Sequence, residues 1–589
     1  MTNSAVEVAI IGAGPVGLSA AALLQRLATS CVVFDRNPST SFHPRGHVIT
    51  ARTMEIFRQI GIENEISSVS LPIEKHAGVG FMTSLSGEEI GVIWTRPDRR
   101  PELEELAISP CLKRSCPQDM LEPVLRRHVE SVPGHDLRFS TEITAILQRD
   151  DRVDLHWRAA GGETGTCTAK YVIAADGARS FAREQLGVGA SGGSMGQQIG
   201  VYFKADLLRF TKGRPYLLWW IYNATTSGVF ISLDGRYRWT YNFAYGETDN
   251  RQDFTRERCE AIIKAAIGSQ DVDIDIQSIM PWRMQARIAD KFQSGRVFFA
   301  GDAAHPLPPT GGQGMNTGIA DVHNLAWKLA LVLRGDAPAA ILETYGEERM
   351  PIARFNVAQS VRNAEKMAAS GLAGMLSDNK DVTSRIESDE SDVVRARLAA
   401  AIPDQREHFD YPGQTFGYVY RSALIADDGA EYEPHSVRDY IPSARPGQRA
   451  PHFWLAGREG TLMSSLDLFA LSEFTLLVGA DGKLWKDAFS EVLDELGLSG
   501  RAHIIEKDDG LRAVDADWLE LYGIQSTGAV LVRPDGHVAW RASSQPDDVS
   551  DDLRRELQRA TGRFVDARKV SIPAVPLAAQ AKSNLQVTE

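Results

Sequence analysis

The 589-residue chain predicts an α/β protein (α+β overall) built on more than one core. Three observations carry that reading. At the amino terminus an apolar strand runs straight into a glycine-rich turn and a helix. A strand- and aromatic-rich stretch fills residues 195–285. From about residue 445 the pattern of strands and helices starts afresh. The length exceeds what one core supports and allows roughly four domains.

Composition is that of an ordinary globular chain, with 43% hydrophobic and 24% charged residues. A net charge of −13 gives no footprint for nucleic acid or an anionic membrane. Residues 9–24 form a long apolar run, but Glu7 precedes it, no basic segment leads it, and three glycines and a proline interrupt it. That argues against a targeting segment or a membrane span. The five cysteines form no metal-spaced pair of pairs, and Cys111 and Cys116 match no strong redox or zinc pattern. Reduced thiols, a cytoplasmic location and no metal site are expected.

Val6-Glu7-Val8-Ala9-Ile10-Ile11 reads as a buried parallel strand. Gly12-Ala13-Gly14-Pro15-Val16-Gly17 follows at once, residues 18–27 read as a helix, and Cys31-Val32-Val33-Phe34-Asp35-Arg36 as a second strand ending in an acid. In this G-x-G-x-x-G pattern the first glycine permits a tight turn and the second lets a pyrophosphate approach the backbone. The third lets helix and strand pack closely, and the acid takes ribose hydroxyls. Gly187-Val188-Gly189-Ala190-Ser191-Gly192 has the same spacing without the context, and reads as a loop.

Two further strands end in aspartate. Tyr171-Val172-Ile173-Ala174-Ala175 leads to Asp176-Gly177, followed by a helix that Ser180 can cap. Alone this is a routine turn. Arg296-Val297-Phe298-Phe299-Ala300 leads to Gly301-Asp302-Ala303-Ala304-His305, and Pro308 to Gly318 then forms a proline- and glycine-rich helix start. A carboxylate there can hold a polyol hydroxyl. The helix start offers bare N–H groups and a positive dipole end.

In this order the three motifs resemble the single-component FAD-dependent aromatic hydroxylases, the group A flavoprotein monooxygenases. The resemblance covers most of the first 365 residues and implies an FAD site made of Gly12, Gly14, Pro15, Gly17, Asp35, Arg36, Asp176, Gly301, Asp302, Pro309, Gly312, Gly314, Met315 and Asn316. The family more often has glutamate where Asp35 stands. Asp302 would hold the ribityl chain and the glycine-rich helix start would face the flavin pyrimidine. Phe42 to Ile56 resembles the segment that brings an arginine, here Arg45, to the flavin, and Cys116-Pro117-Gln118 before a helix at 119–129 resembles the place of a glutamine contact. Only one full dinucleotide unit is present, which fits a family that binds NADPH or NADH transiently and leaves the choice between them open.

The middle sheet, in this family, roofs the flavin and forms the substrate pocket. Trp220, Tyr222, Phe230 and Asn242 are the candidate wall for a flat aromatic ring, although sheet core is the plainer reading of any single aromatic there. Residues 318–370 read as helices, the longer one starting near Leu342, and 377–392 as a solvated connection or exposed helix. Further on, 450–455 and 474–478 read as strands, 491–496 as helix, and 528–541 as a hairpin around Pro534-Asp535-Gly536. This resembles the thioredoxin-like carboxy-terminal domain of phenol and polyketide hydroxylases. It has no cysteine, so a packing or dimerisation role, and with it a homodimer, is expected. The expected domains are FAD-binding (1–185 and 286–370), substrate sheet (186–285), connection (371–445), thioredoxin-like (446–573) and flexible tail (574–589).

The resemblance implies that NAD(P)H reduces FAD, molecular oxygen adds at C4a as a hydroperoxide, and a phenolic or polycyclic polyketide ring is hydroxylated. His47, five residues before Arg52, is the candidate to draw off the phenol proton, with a backbone-bonded structural histidine as the alternative. His305 is a weaker candidate, set to brace its own loop. An oxidase, dehydrogenase or non-catalytic flavin binder on the same scaffold remains open. A halogenase is disfavoured because no Gly-Trp-x-Trp-x-Ile-Pro segment occurs.

Overall fold

The computed structural model describes residues 2–563 apart from 97–99, 247–248, 378, 430–435, 458–459 and 507–509. The tail expected at 574–589 lies outside the described residues.

The strand Thr2–Ile11 sits inside a parallel set. Cys31–Phe34 and then His135–Arg138 flank it on one side, Thr164–Ala174 and then Val297–Phe299 on the other. Val8, Ile10, Val33, Val172 and Phe298 are buried, as parallel strands covered on both faces require. Pro15–Arg26 packs beside Gly314–Arg334 and Gln118–Glu130. Register decides what this sheet presents. Ile11 pairs with Phe34 and Ala174, and Ala174 with Phe299. Four carboxyl ends therefore stop level, and the segments that follow meet along one sheet edge.

A second sheet of seven strands runs in the order Asp275–Ala289, Ala190–Lys204, Arg238–Tyr245, Ser227–Ser232, Tyr216–Tyr222, Gly78–Met82, Glu89–Trp94. The last two come from the amino-terminal third, and Asp275–Ala289 runs past residue 285, so this sheet is larger than the 186–285 expected. Ala190, Ser191 and Gly192 begin a strand, and only 187–189 of the second G-x-G-x-x-G segment is loop.

One face of this sheet packs Ile199, Phe203, Phe230, Tyr241 and Phe243 with the helix Arg256–Ile267. The other presents Trp220, Val229 and Met284 to Leu372, Met375, Leu398 and Phe409. The acidic stretch is thus a cover. Its helices Lys380–Arg385 and Ser391–Ala401 bury Val382, Val394 and Leu398 against the sheet and leave their charges outside.

The carboxy-terminal unit orders its strands Gly500–Ile504, Phe474–Val478, Ala529–Val532, Val538–Ala542. The first pair is parallel and the others antiparallel, and the helices Lys483–Leu496 and Val549–Ala560 pack together. Of the strand expected at 450–455 only its end forms, as Trp454–Ala456. The unit is docked through a buried ionic cluster. Arg533 pairs with Glu348 at 2.6 Å, Lys328 reaches Glu348 at 2.8 Å, and Arg52 donates to the carbonyl of Asp535 at 2.9 Å. No helix among the described residues is long and apolar enough to cross a membrane.

Candidate active site

At the level strand ends, Gly12 adopts φ +103°, and a Cβ on it would lie 2.4 Å from the carbonyl oxygen of Ala175. A Cβ on Gly17 would lie 1.8 Å from the carbonyl oxygen of Gly12. Gly17 therefore joins helix to strand, the role expected of the third glycine, and is not among the residues that line the cavity. Gly14 has nothing within 4 Å of its Cβ position, and the helix behind it starts without a side-chain cap. Its first residue, Pro15, has no N–H to satisfy, and Gly14, Pro15 and Val16 all line the cavity. Asp35 braces this turn: its carboxylate accepts from the N–H of Ala13 at 2.7 Å and of Asn37 at 2.7 Å.

One continuous cavity of about 1850 Å³ begins here. It runs past Pro15, Arg36, Arg45, Gln118, Asp176 and Asp302 to Pro309, Gly312, Gly314 and Met315. This exceeds the roughly 300–1,000 Å³ of a single-ligand pocket, so it has room for two ligands. Asp176 accepts from the N–H of Ala182 at 3.0 Å through one oxygen, while the other is buried without a partner. Ser180 caps the following helix, as expected. Gln118 donates to Glu122 at 2.5 Å, and Glu122 also accepts from the N–H of Ser41. Glu122, one helical turn along and on the same cavity wall, was legible from its i+4 spacing but was missed.

Asp302 is exposed where it lines the cavity, yet many protein atoms crowd around its carboxyl. That crowding, by desolvation, pushes its carboxyl above the usual carboxylate range. Among the described residues its carboxylate has no hydrogen-bond partner. Gly301, at φ +59°, packs against Val16 and Gly318 and is not among the residues that line the cavity. His305 braces the turn through Asp321 at 2.6 Å, and Asp321 also takes Arg349 at 2.9 Å. Asn316 is likewise a brace: its amide joins the N–H of Thr50 to the carbonyls of Val48 and Gly312, and it does not line the cavity.

Beyond Gly312 the cavity opens against the second sheet. A Cβ on Gly312 would lie 2.9 Å from Val48, which puts His47 and its neighbours beside the glycine-rich helix start. Trp220 and Asn242 line this chamber. Phe230 does not, because strand alternation turns it to the opposite face while Val229 and Ile231 point inward. Tyr222 shares the face of Trp220 but lies past the chamber, its hydroxyl bonded to the carbonyl of Leu372 at 3.1 Å. His47 reaches Ser115 at 3.1 Å, and burial, then the charge of Lys113, pushes its pKa down to about 4. His43, Trp282, Lys113 and His408 also line the cavity and were not anticipated, since only the fold brings their loops together.

Residues 5–360 match the family described as FAD binding domain, and residues 443–563 match the aromatic-ring hydroxylase C-terminal family. The chain belongs to the FAD-dependent aromatic-ring hydroxylases. Tetracenomycin B2 monooxygenase-dioxygenase of Streptomyces olivaceus is 34% identical to this hydroxylase, over 96% of the chain and 100% of its own length. The 2,4-dichlorophenol 6-monooxygenase of Delftia acidovorans is 33% identical over 94% and 97%. The flavin-dependent monooxygenase PieE, solved with FAD and substrate, superposes with TM-score 0.87 at 32% identity, covering 95% and 99%.

The residues of this hydroxylase fit FAD. Two uncapped helix starts, a side-chain-free surface at Gly14, the orphaned oxygen of Asp176 and the unpaired carboxylate of Asp302 lie along one channel. Donors for phosphates stand at one end and an acceptor for hydroxyls lies between.

Proposed function

We propose that this hydroxylase inserts one atom of molecular oxygen into a phenolic or polycyclic aromatic ring, with NADPH or NADH as reductant. The observation that carries this reading is the single cavity, a dinucleotide channel at one end and an aromatic-walled chamber at the other, joined at Gly312. FAD, when bound, supplies the oxygen-activating redox chemistry.

The chain's own residues do the rest. The bare N–H groups from Gly14 onward take the pyrophosphate, and Asp302 takes ribityl hydroxyls. The start of Gly314–Arg334, without a side-chain cap, directs its dipole at the electron-rich end of the ring system. Trp220, Met284 and Phe409 keep water from the reacting atoms. His47, neutral at ordinary pH, orients a substrate hydroxyl by hydrogen bonding. With a pKa of about 4 it is too weak to take a phenol proton outright. The carboxy-terminal unit, with its thioredoxin-like strand order and no cysteine, is a docking scaffold, and a homodimer through it is part of this reading. All five cysteines are free and buried, consistent with a cytoplasmic enzyme.

The test is to reconstitute the protein with FAD and screen phenols and fused-ring phenols for stimulated NAD(P)H oxidation under ¹⁸O₂. A substrate should speed oxidation and carry one labelled oxygen. Oxidation that yields only hydrogen peroxide with every ring would make the protein an oxidase and overturn the proposal.

A further inference from the structure

The chamber beside His47 carries an uncompensated positive charge. Lys113 stands just before the short strand Arg114–Ser115 and lines the cavity. Its Nζ donates to the carbonyl of Phe409 at 3.3 Å and lies 4.4 Å from the centre of the Tyr411 ring. Among the described residues no carboxylate pairs with it. The acids nearby are engaged elsewhere. Glu105 takes Arg96 at 2.6 Å and the main-chain N–H of Lys113 at 2.8 Å. Asp410 takes Arg406 at 3.2 Å and Arg438 at 3.5 Å. Glu104 is exposed.

The ammonium also borders the apolar wall, because Phe409 packs with Trp220 and Met375. The imidazoles around the chamber offer no alternative base. Burial and then the charge of Lys113 push His47 to about 4 and His408 to about 3. His76 is driven well down by burial, Arg96 and Lys113 in turn. A phenol ionises near pH 10, about six units above such a base.

We propose that the ammonium of Lys113 faces the phenolic oxygen of the substrate and holds it as the phenolate. The proton goes to solvent and the lysine balances the charge left behind. The ionised oxygen raises the electron density of the ring, which is what attack on an electrophilic oxygen needs. This rests on the function proposed above. It narrows the substrate class to rings that bear an ionisable hydroxyl.

4-Nitrophenol is the probe, because its phenolate has its own visible band. It is titrated with pH against the FAD-free and the FAD-loaded protein. In the wild type the bound probe should ionise about one unit or more below the free compound. Lys113→Arg should keep that shift and Lys113→Met should lose it. 4-Nitroanisole, which cannot ionise, should bind wild type and Lys113→Met alike, so a collapsed pocket would be seen. An unshifted probe, no binding of the probe by the wild type, or a shift that survives Lys113→Met overturns the proposal. The titration needs no turnover. A protein that shifts the probe yet never hydroxylates would sink the function above and leave Lys113 in place.

Discussion

Asp302 shows how a single side chain acquires meaning. In the sequence it is an acid after an apolar strand, one of three such acids in the chain. In the fold it alone of the three has a carboxylate with no internal partner, since Asp35 holds Ala13 and Asp176 holds Ala182. Removing it therefore costs the protein no bond and the ligand at least one. Asp302→Ala should keep or slightly raise the thermal stability of the FAD-free protein at neutral pH, because its carboxyl is raised in the fold, and should weaken FAD about ten- to a hundredfold, the value of a hydrogen bond to a charged group. Isothermal titration with FAD checks this, and unchanged affinity would show that the carboxylate is not a ligand. Gly17, Gly301 and Asn316 have the opposite character. They stand in the same motifs, but their contacts are internal, and motif matching alone does not separate bracing from binding.

At the scale of elements, period-two alternation sorts the aromatic residues of the second sheet. Phe230 and Val229 are neighbours in sequence and lie on opposite faces. Which face is the chamber wall depends on what packs against each, and that comes from segments more than a hundred residues away. Trp220 is held in place by Phe81, stacked at 6.4 Å, and by the turn at Gly374. Gly374 has φ +52°, and a Cβ there would lie 2.3 Å from the Trp220 ring. Gly374→Ala should destabilise the protein by about 1–3 kcal/mol through overpacking and backbone strain. It should also weaken substrate binding by tilting the ring into the chamber. Urea denaturation and substrate titration read the two effects, and a variant of wild-type stability would mean the ring is free to move.

At the scale of the whole molecule, burial of histidine sets the response to pH. His408 and His537 are pushed down to about 3, and His43, His47 and His452 to about 4, in each case first by burial. In the unfolded chain they titrate near 6.5. Between pH 6.5 and 4 the unfolded state binds protons that the folded state refuses. Stability is therefore full above pH 6.5 and falls as the pH drops through this window. Each histidine loses roughly 1.4 kcal/mol per pH unit. The raised carboxyls of Asp119, Glu122, Asp176 and Asp302 oppose part of the loss. The melting temperature should fall by several degrees from pH 7.5 to pH 5, and a flat profile would show that these imidazoles are protonated in the folded state.

The sequence by itself determined the cofactor end of this hydroxylase. Gly12, Gly14, Asp35, Asp176 and Asp302 are each fixed by local requirements, a strand that ends, a turn that admits no side chain, a helix that starts uncapped. Local requirements leave local patterns. The chamber end was decided by the tertiary structure. Lys113, Trp282 and the adjacent pair His408 and Phe409 lie on three separate segments with no shared spacing, and they meet only because the second sheet and its helical cover close over the channel. A charge gains its chemical role from the burial and the partners around it, and those are set by packing across the chain rather than by sequence neighbours.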